Sequence, residues 1–120
     1  MSLRFDKVMD EQEAFQLNAL QLAYLGDSVW EMIVRYGLVF QKYNVHHLHE
    51  ESVKRVNARA QADTLARISE FLTEREAEIV RRGRNAHPKH TIPKNQQPDH
   101  YAASTGLEAL FGYLYLTGQD

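Results

Sequence analysis

The chain contains no cysteine. That excludes disulfide cross-links and any metal site built on thiolates. It has no apolar run near the roughly 20 residues a helix needs to cross a bilayer. Its first residues, Met1-Ser2-Leu3-Arg4-Phe5-Asp6, lack the apolar core of a secretory signal. These absences lead to the expectation of a soluble, cytoplasmic protein with no membrane partner. Proline is scarce and confined to Pro88, Pro93 and Pro98. Period-two alternation is missing as well, so no segment makes a convincing strand. No repeat or low-complexity stretch interrupts the 120 residues. The chain is expected to form one domain over residues 1–120, and the fold class is all-α.

What is present supports helices. Residues 13–41 carry Phe15, Leu17, Leu20, Leu22, Tyr24, Leu25, Val29, Trp30, Ile33 and Val34 without strict alternation. A helix apolar over so much of its surface should be the central one. Residues 46–55 and 56–72 are amphipathic, with Val53, Val56, Ala60, Leu65, Ile68 and Phe71 recurring mostly at threes and fours. Thr73-Glu74-Arg75-Glu76 is a capping box: the threonine accepts from the third amide and Glu76 reaches back. Arg81, Arg82 and Gly83 suit a helix end, with cations near the negative pole and glycine for a left-handed turn. The clustered prolines make 85–98 a loop. Residues 99–117 form a last apolar helix carrying Ala102, Ala103, Leu107, Leu110, Phe111, Leu114 and Leu116, closed by Gly118.

The net charge of −2 argues against a polycation, but its distribution is uneven. Residues 81–100 hold Arg81, Arg82, Arg84, Lys89 and Lys94 against the single acid Asp99, a net +4 that leaves −6 on the rest. A basic segment on an acidic body indicates a localised anion-binding feature.

The most informative residues are two carboxylates inside the two most apolar segments: Asp27 in Leu25-Gly26-Asp27-Ser28-Val29-Trp30 and Glu108 in Gly106-Leu107-Glu108-Ala109-Leu110. Aspartate is a poor mid-helix residue, and burying an unpaired carboxylate is costly. An arginine, a hydrogen-bond network or a metal ion must compensate. Gly26, Gly106 and Gly112 flank the two acids and would let helices cross closely there. Oxygen donors, without cysteine or a histidine pair at helical spacing, favour Mg²⁺ or Mn²⁺ over zinc. Glu31, one turn after Asp27, reads as a surface acid more than a further ligand. His46, His47 and His49 are spaced poorly for a metal cluster.

Tyr24-Leu25-Gly26-Asp27-Ser28-Val29 resembles the signature core of the ribonuclease III family. Leu107-Glu108-Ala109-Leu110-Phe111-Gly112 is similar to its second acidic motif. Leu17-Asn18-Ala19-Leu20, Arg82-Gly83-Arg84-Asn85-Ala86, Pro93-Lys94-Asn95 and Ser104-Thr105-Gly106 resemble the short, or mini, form of the family, which lacks a double-stranded-RNA-binding domain. The resemblance covers roughly residues 15–116 in order and spacing. It implies a helical, homodimeric endoribonuclease that cuts double-stranded RNA with Mg²⁺, Mn²⁺ substituting. In the short form the implied substrate is precursor 23S ribosomal RNA, with a ribosomal protein as a further partner.

By position, the resemblance makes Asp27 and Glu108 the catalytic, metal-binding acids. The full-length enzymes carry further acids where this chain has Leu20, Ala23 and Thr105, which leaves full two-metal coordination open. The short form shares the loss. For RNA binding, Arg82, Arg84, Asn85, Lys89 and Lys94 are the candidates; Arg81 reads as helix-end chemistry. A non-catalytic ribosome-associated RNA-binding module and a purely helical interaction domain are the competing functions. The first leaves the two acids without a purpose; the second pairs them in buried salt bridges and leaves the basic segment incidental.

Overall fold

A computed structural model describes residues 5–86 and 97–119. Six α-helices follow one another: α1 Glu11–Phe15, α2 Ala19–Val39, α3 Val45–Arg55, α4 Ala58–Ile68, α5 Glu74–Asn85 and α6 Pro98–Leu116, with a 3₁₀ turn at Ser69–Phe71 after α4. No strand occurs among the described residues, and no helix there is long and apolar enough to cross a membrane.

Side chains just outside the helices set where they start. Asn18, Asn44 and Asn57 accept from Leu20, His47 and Ala60 amides at 2.7, 2.8 and 2.8 Å. Thr73 accepts from the Glu76 amide at 3.1 Å while Glu76 accepts from Thr73 N–H at 2.9 Å, as the capping box requires. Gln21 closes a second such box on Asn18, at 3.0 Å. Pro98 occupies the first turn of α6, where its missing N–H is harmless. It starts a helix rather than ending the loop.

The expectation that α2 is central does not hold. The central helix is α6, packed by α2, α4 and α5. Ala103 through Leu107, Ala109, Leu110, Gly112 and Tyr113 are all buried. One core cluster joins Leu22 and Ala23 of α2 to Ile79, Ala109 and Tyr113; another joins Leu65 and Val80 to Ala103, Leu107 and Leu110. Helix α2 uses only part of its apolar surface on α6. Tyr24, Met32, Ile33, Tyr36, Val39 and Phe40 remain exposed. Apolar periodicity reports how much of a helix avoids water, not which neighbour covers it.

Gly83 also has a different duty from the one its sequence position suggested. Helix α5 runs past it to Asn85. A Cβ there would lie 2.7 Å from Gly106 Cα, so this glycine lets α5 and α6 touch. Gly106 belongs to that α5 contact and not to the crossing with α2. The left-handed turn is made by Gly118, at φ +71°, beside the Val8 side chain. The N-terminal strap is tied there by Met9 N–H donating to Leu116 C=O at 2.7 Å.

Candidate active site

Asp27 and Glu108 meet because α2 and α6 cross on glycine. A Cβ on Gly26 would collide with the Glu108 carbonyl, and one on Gly112 with the Leu22 carbonyl. At that crossing Asp27 directly follows Gly26, and Glu108 stands one helical turn before Gly112. Their carboxyls come within hydrogen-bond contact of each other. The sequence suggested that both acids were buried, and only one is. Asp27 is exposed at the rim, whereas Glu108 is half-buried.

The third polar group is Gln61 of α4. Its amide Nε2 donates to Glu108 Oε2 at 3.3 Å, although the residue is only 5% exposed. Sequence reasoning passed over it. The available signal was a long amide in an otherwise apolar stripe, Ala58–Gln61–Leu65–Ile68, at three- and four-residue spacing. Trp30 fixes the junction before α4: its indole N–H donates to Arg55 C=O at 3.0 Å, and its ring lies 5.5 Å from that of Phe111.

The electrostatics of the pair are unfavourable. Burial, then the Asp27 charge, push the Glu108 carboxyl up to about 7, reinforced by its hydrogen bond to Asp27; the Gln61 amide pulls the other way. Among the described residues neither acid has an ion-pair partner. Of the three ways to compensate these acids, a buried arginine is therefore absent here. A single neutral amide, that of Gln61, remains. Two adjacent carboxylates balanced by no more than that supply the oxygen donors a hard divalent cation takes.

No group of three or more His, Asp or Glu suited to a metal occurs among the described residues. Glu31 pairs with Arg35 at 2.5 Å, consistent with a surface acid. His46 and His47 each face an acid one turn on, Glu50 and Glu51, at 3.5 and 3.7 Å. Ala23 and Thr105 are buried, and the threonine hydroxyl donates to Tyr101 C=O at 3.1 Å. Neither position adds a carboxylate to the site.

The basic residues divide. Arg81 forms a two-pronged pair with Glu78 at 2.8 and 2.6 Å. Arg82 is turned inward. It donates to Phe15 C=O at 2.6 Å, stacks 4.0 Å over the Phe15 ring and lies 3.5 Å from Glu78. Its guanidinium is engaged by the fold. Arg84 and Asn85 are exposed on the last turn of α5, on a helix rather than in a loop, and their side chains have no polar partner among the described residues. Lys89 and Lys94 lie outside the described residues.

Residues 20–119 match the family model described as the Ribonuclease III domain. The chain belongs to the ribonuclease III family and is an endoribonuclease. Its similarity is more particular than that. It is 51% identical over 104 residues to the Mini-ribonuclease 3 of Symbiobacterium thermophilum, covering 86% of this chain and 79% of the relative. It is 43% identical over 114 residues to that of a Thermoanaerobacter species, covering 94% and 80%. A crystal structure of a Fusobacterium nucleatum protein superimposes with a TM-score of 0.78 at 32% identity, covering 84% of this chain and 80% of that one. The fold and the recognition of the short form both follow.

Proposed function

We propose that this domain is a homodimeric, Mg²⁺-dependent endoribonuclease that cuts double-stranded RNA in the cytoplasm and matures precursor 23S ribosomal RNA. The observation that carries the site assignment is the meeting of Asp27 and Glu108 at a glycine crossing, with no cation among the described residues to balance them. When bound, Mg²⁺, or Mn²⁺ in its place, supplies a water of lowered pKa and offsets charge developing on the scissile phosphate. Asp27, exposed at the rim, would hold the ion directly. Half-buried Glu108 contributes an oxygen to it or orients the attacking water. The water oxygen attacks phosphorus in line with the departing 3′ oxygen, leaving a 5′-phosphate and a 3′-hydroxyl. With only two protein carboxylates to hold it, the ion would draw further oxygens from water and RNA phosphate, which suits Mg²⁺.

Arg84 and Asn85, followed in the chain by Lys89 and Lys94, contact phosphates and 2′-hydroxyls across the RNA minor groove without reading sequence. Arg82, half-buried against Phe15, is the fifth member of that RNA-binding set. The exposed stripe Tyr24–Met32–Tyr36–Val39 of α2 supports the homodimer, together with the neighbouring hollow lined by Val29, Ile33, Phe111, Leu114 and Tyr115. A twofold through that face would give one site per strand of a duplex. A ribosomal protein that shapes the RNA is the further partner.

The test is cleavage of a long RNA duplex and of a ribosomal precursor duplex, with Mg²⁺ or with EDTA, by the wild type and Asp27→Asn. Cutting that needs the metal and is abolished in Asp27→Asn is the expected result. Tight duplex binding with no cutting of either substrate would make the domain an RNA-binding module instead.

A further inference from the structure

Gln61 is a long, polar side chain in the apolar stripe by which α4 meets α6, between Ala58 and Leu65. Burying an amide without a partner is costly, and buried polar groups in folded proteins are nearly always hydrogen-bonded. The one side-chain partner of this amide among the described residues is Glu108 Oε2. Glu108 is thus gripped from two sides, by Gln61 through Oε2 and by Asp27 across the site. A lysine or arginine at position 61 would hold the same oxygen, but its charge would compete with a metal for both acids. A neutral donor fixes the carboxylate and leaves its charge available.

We propose that Gln61 is a positioning residue of the active site: its buried Nε2 sets the orientation in which Glu108 presents itself to the divalent ion. This rests on the metal-dependent nuclease reading. Partners that orient metal ligands are worth roughly tenfold to hundredfold in affinity or activity. The expected loss in Gln61→Met, which keeps length and removes the donor, is of that size.

The test combines two readouts on the intact chain. One is Mn²⁺ titration, followed by the electron paramagnetic resonance of the free ion, for wild type, Asp27→Asn, Glu108→Gln, Gln61→Met and the double variant Gln61→Met/Glu108→Gln. The other is duplex cleavage as a function of Mg²⁺. Gln61→Met should weaken Mn²⁺ binding and raise the Mg²⁺ midpoint, with KM for RNA unchanged and kcat lowered. It should add nothing to Glu108→Gln, because it acts through that carboxylate. Gln61→Asn, one methylene shorter, should behave the same way and serves if the methionine variant does not fold. Wild-type Mn²⁺ affinity and Mg²⁺ midpoint in a folded Gln61 variant would overturn the proposal. A wild type that cuts nothing would sink the nuclease reading, and the Mn²⁺ titration would still decide the role of Gln61.

Discussion

Replacing Glu108 by glutamine should make the metal-free protein more stable, not less. In the fold this carboxyl ionises at about 7 instead of 4.5, because it is removed from water and placed beside Asp27. A carboxyl with a raised folded value costs nothing while it is protonated in both states. The cost appears as pH rises above the unfolded value of 4.5, and is complete above about 7. At about 1.4 kcal/mol per tenfold in ionisation the ceiling is roughly 3 kcal/mol. Solvent on the open side of the group reduces this to roughly 2 kcal/mol. Glutamine has the same shape, can still accept from Gln61 and carries no charge.

At this chain length about 1 kcal/mol moves the melting temperature by roughly 4 °C. Glu108→Gln should therefore melt roughly 8 °C above wild type at pH 8 in EDTA. The gap should shrink to roughly a quarter by pH 5 and close by about pH 4. Thermal unfolding followed by circular dichroism, at one fixed protein concentration, measures it. Mg²⁺ should reverse the order by stabilising wild type and leaving the variant where it was. Equal melting at pH 8, or a gap that persists undiminished at pH 4, would refute the electrostatic account of the site.

Gly26→Ala should destabilise the fold by at least roughly 3 kcal/mol, since its Cβ collides with the backbone of α6. Gly37→Ala, in the same helix with nothing near its Cβ, should stabilise by roughly 0.5–1 kcal/mol; denaturant melts compare the two. Met32→Asp should leave monomers in sedimentation or light scattering if the α2 stripe is the dimer face, and an unchanged dimer would move the interface elsewhere. Arg82→Met should cost roughly 1–3 kcal/mol of stability by losing Phe15. Arg84→Met should leave stability alone, weaken duplex binding and lower its salt slope by roughly one.

The order of helices and the position of the break between α5 and α6 were legible in the sequence because both depend on local rules. Proline cannot sit inside a helix, and the Thr73–Glu76 box announces its own terminus. Errors came where a local sign had two physical meanings. A glycine after two arginines reads as a helix end, yet Gly83 serves a helix contact. A helix rich in apolar residues reads as central, yet α2 leaves its second apolar face exposed. An acid in such a helix reads as buried, yet Asp27 is exposed, on the edge between the face that packs α6 and open solvent. The pairing of Asp27 with Glu108 was suggested by their flanking glycines. Gln61 was not, because its partner lies 47 residues away and the one local sign, an amide in an apolar stripe, does not say what it meets.

The same crossing that builds the site also makes it costly. Gly26 and Gly112 bring two helix backbones into contact, and that contact drives Asp27 and Glu108 together before any ion is present. Larger residues would separate the helices, relieve the repulsion and spread the ligands. The close approach therefore stores unfavourable electrostatics in the fold, which a divalent ion would release if it binds there as proposed. A substitution that stabilises this domain at residue 108 and one that disables it are expected to be the same substitution. In a metal-free melt, stability and metal binding should therefore move in opposite directions at residue 108. At Gly26 they should fall together, because there the fold and the site depend on the same contact.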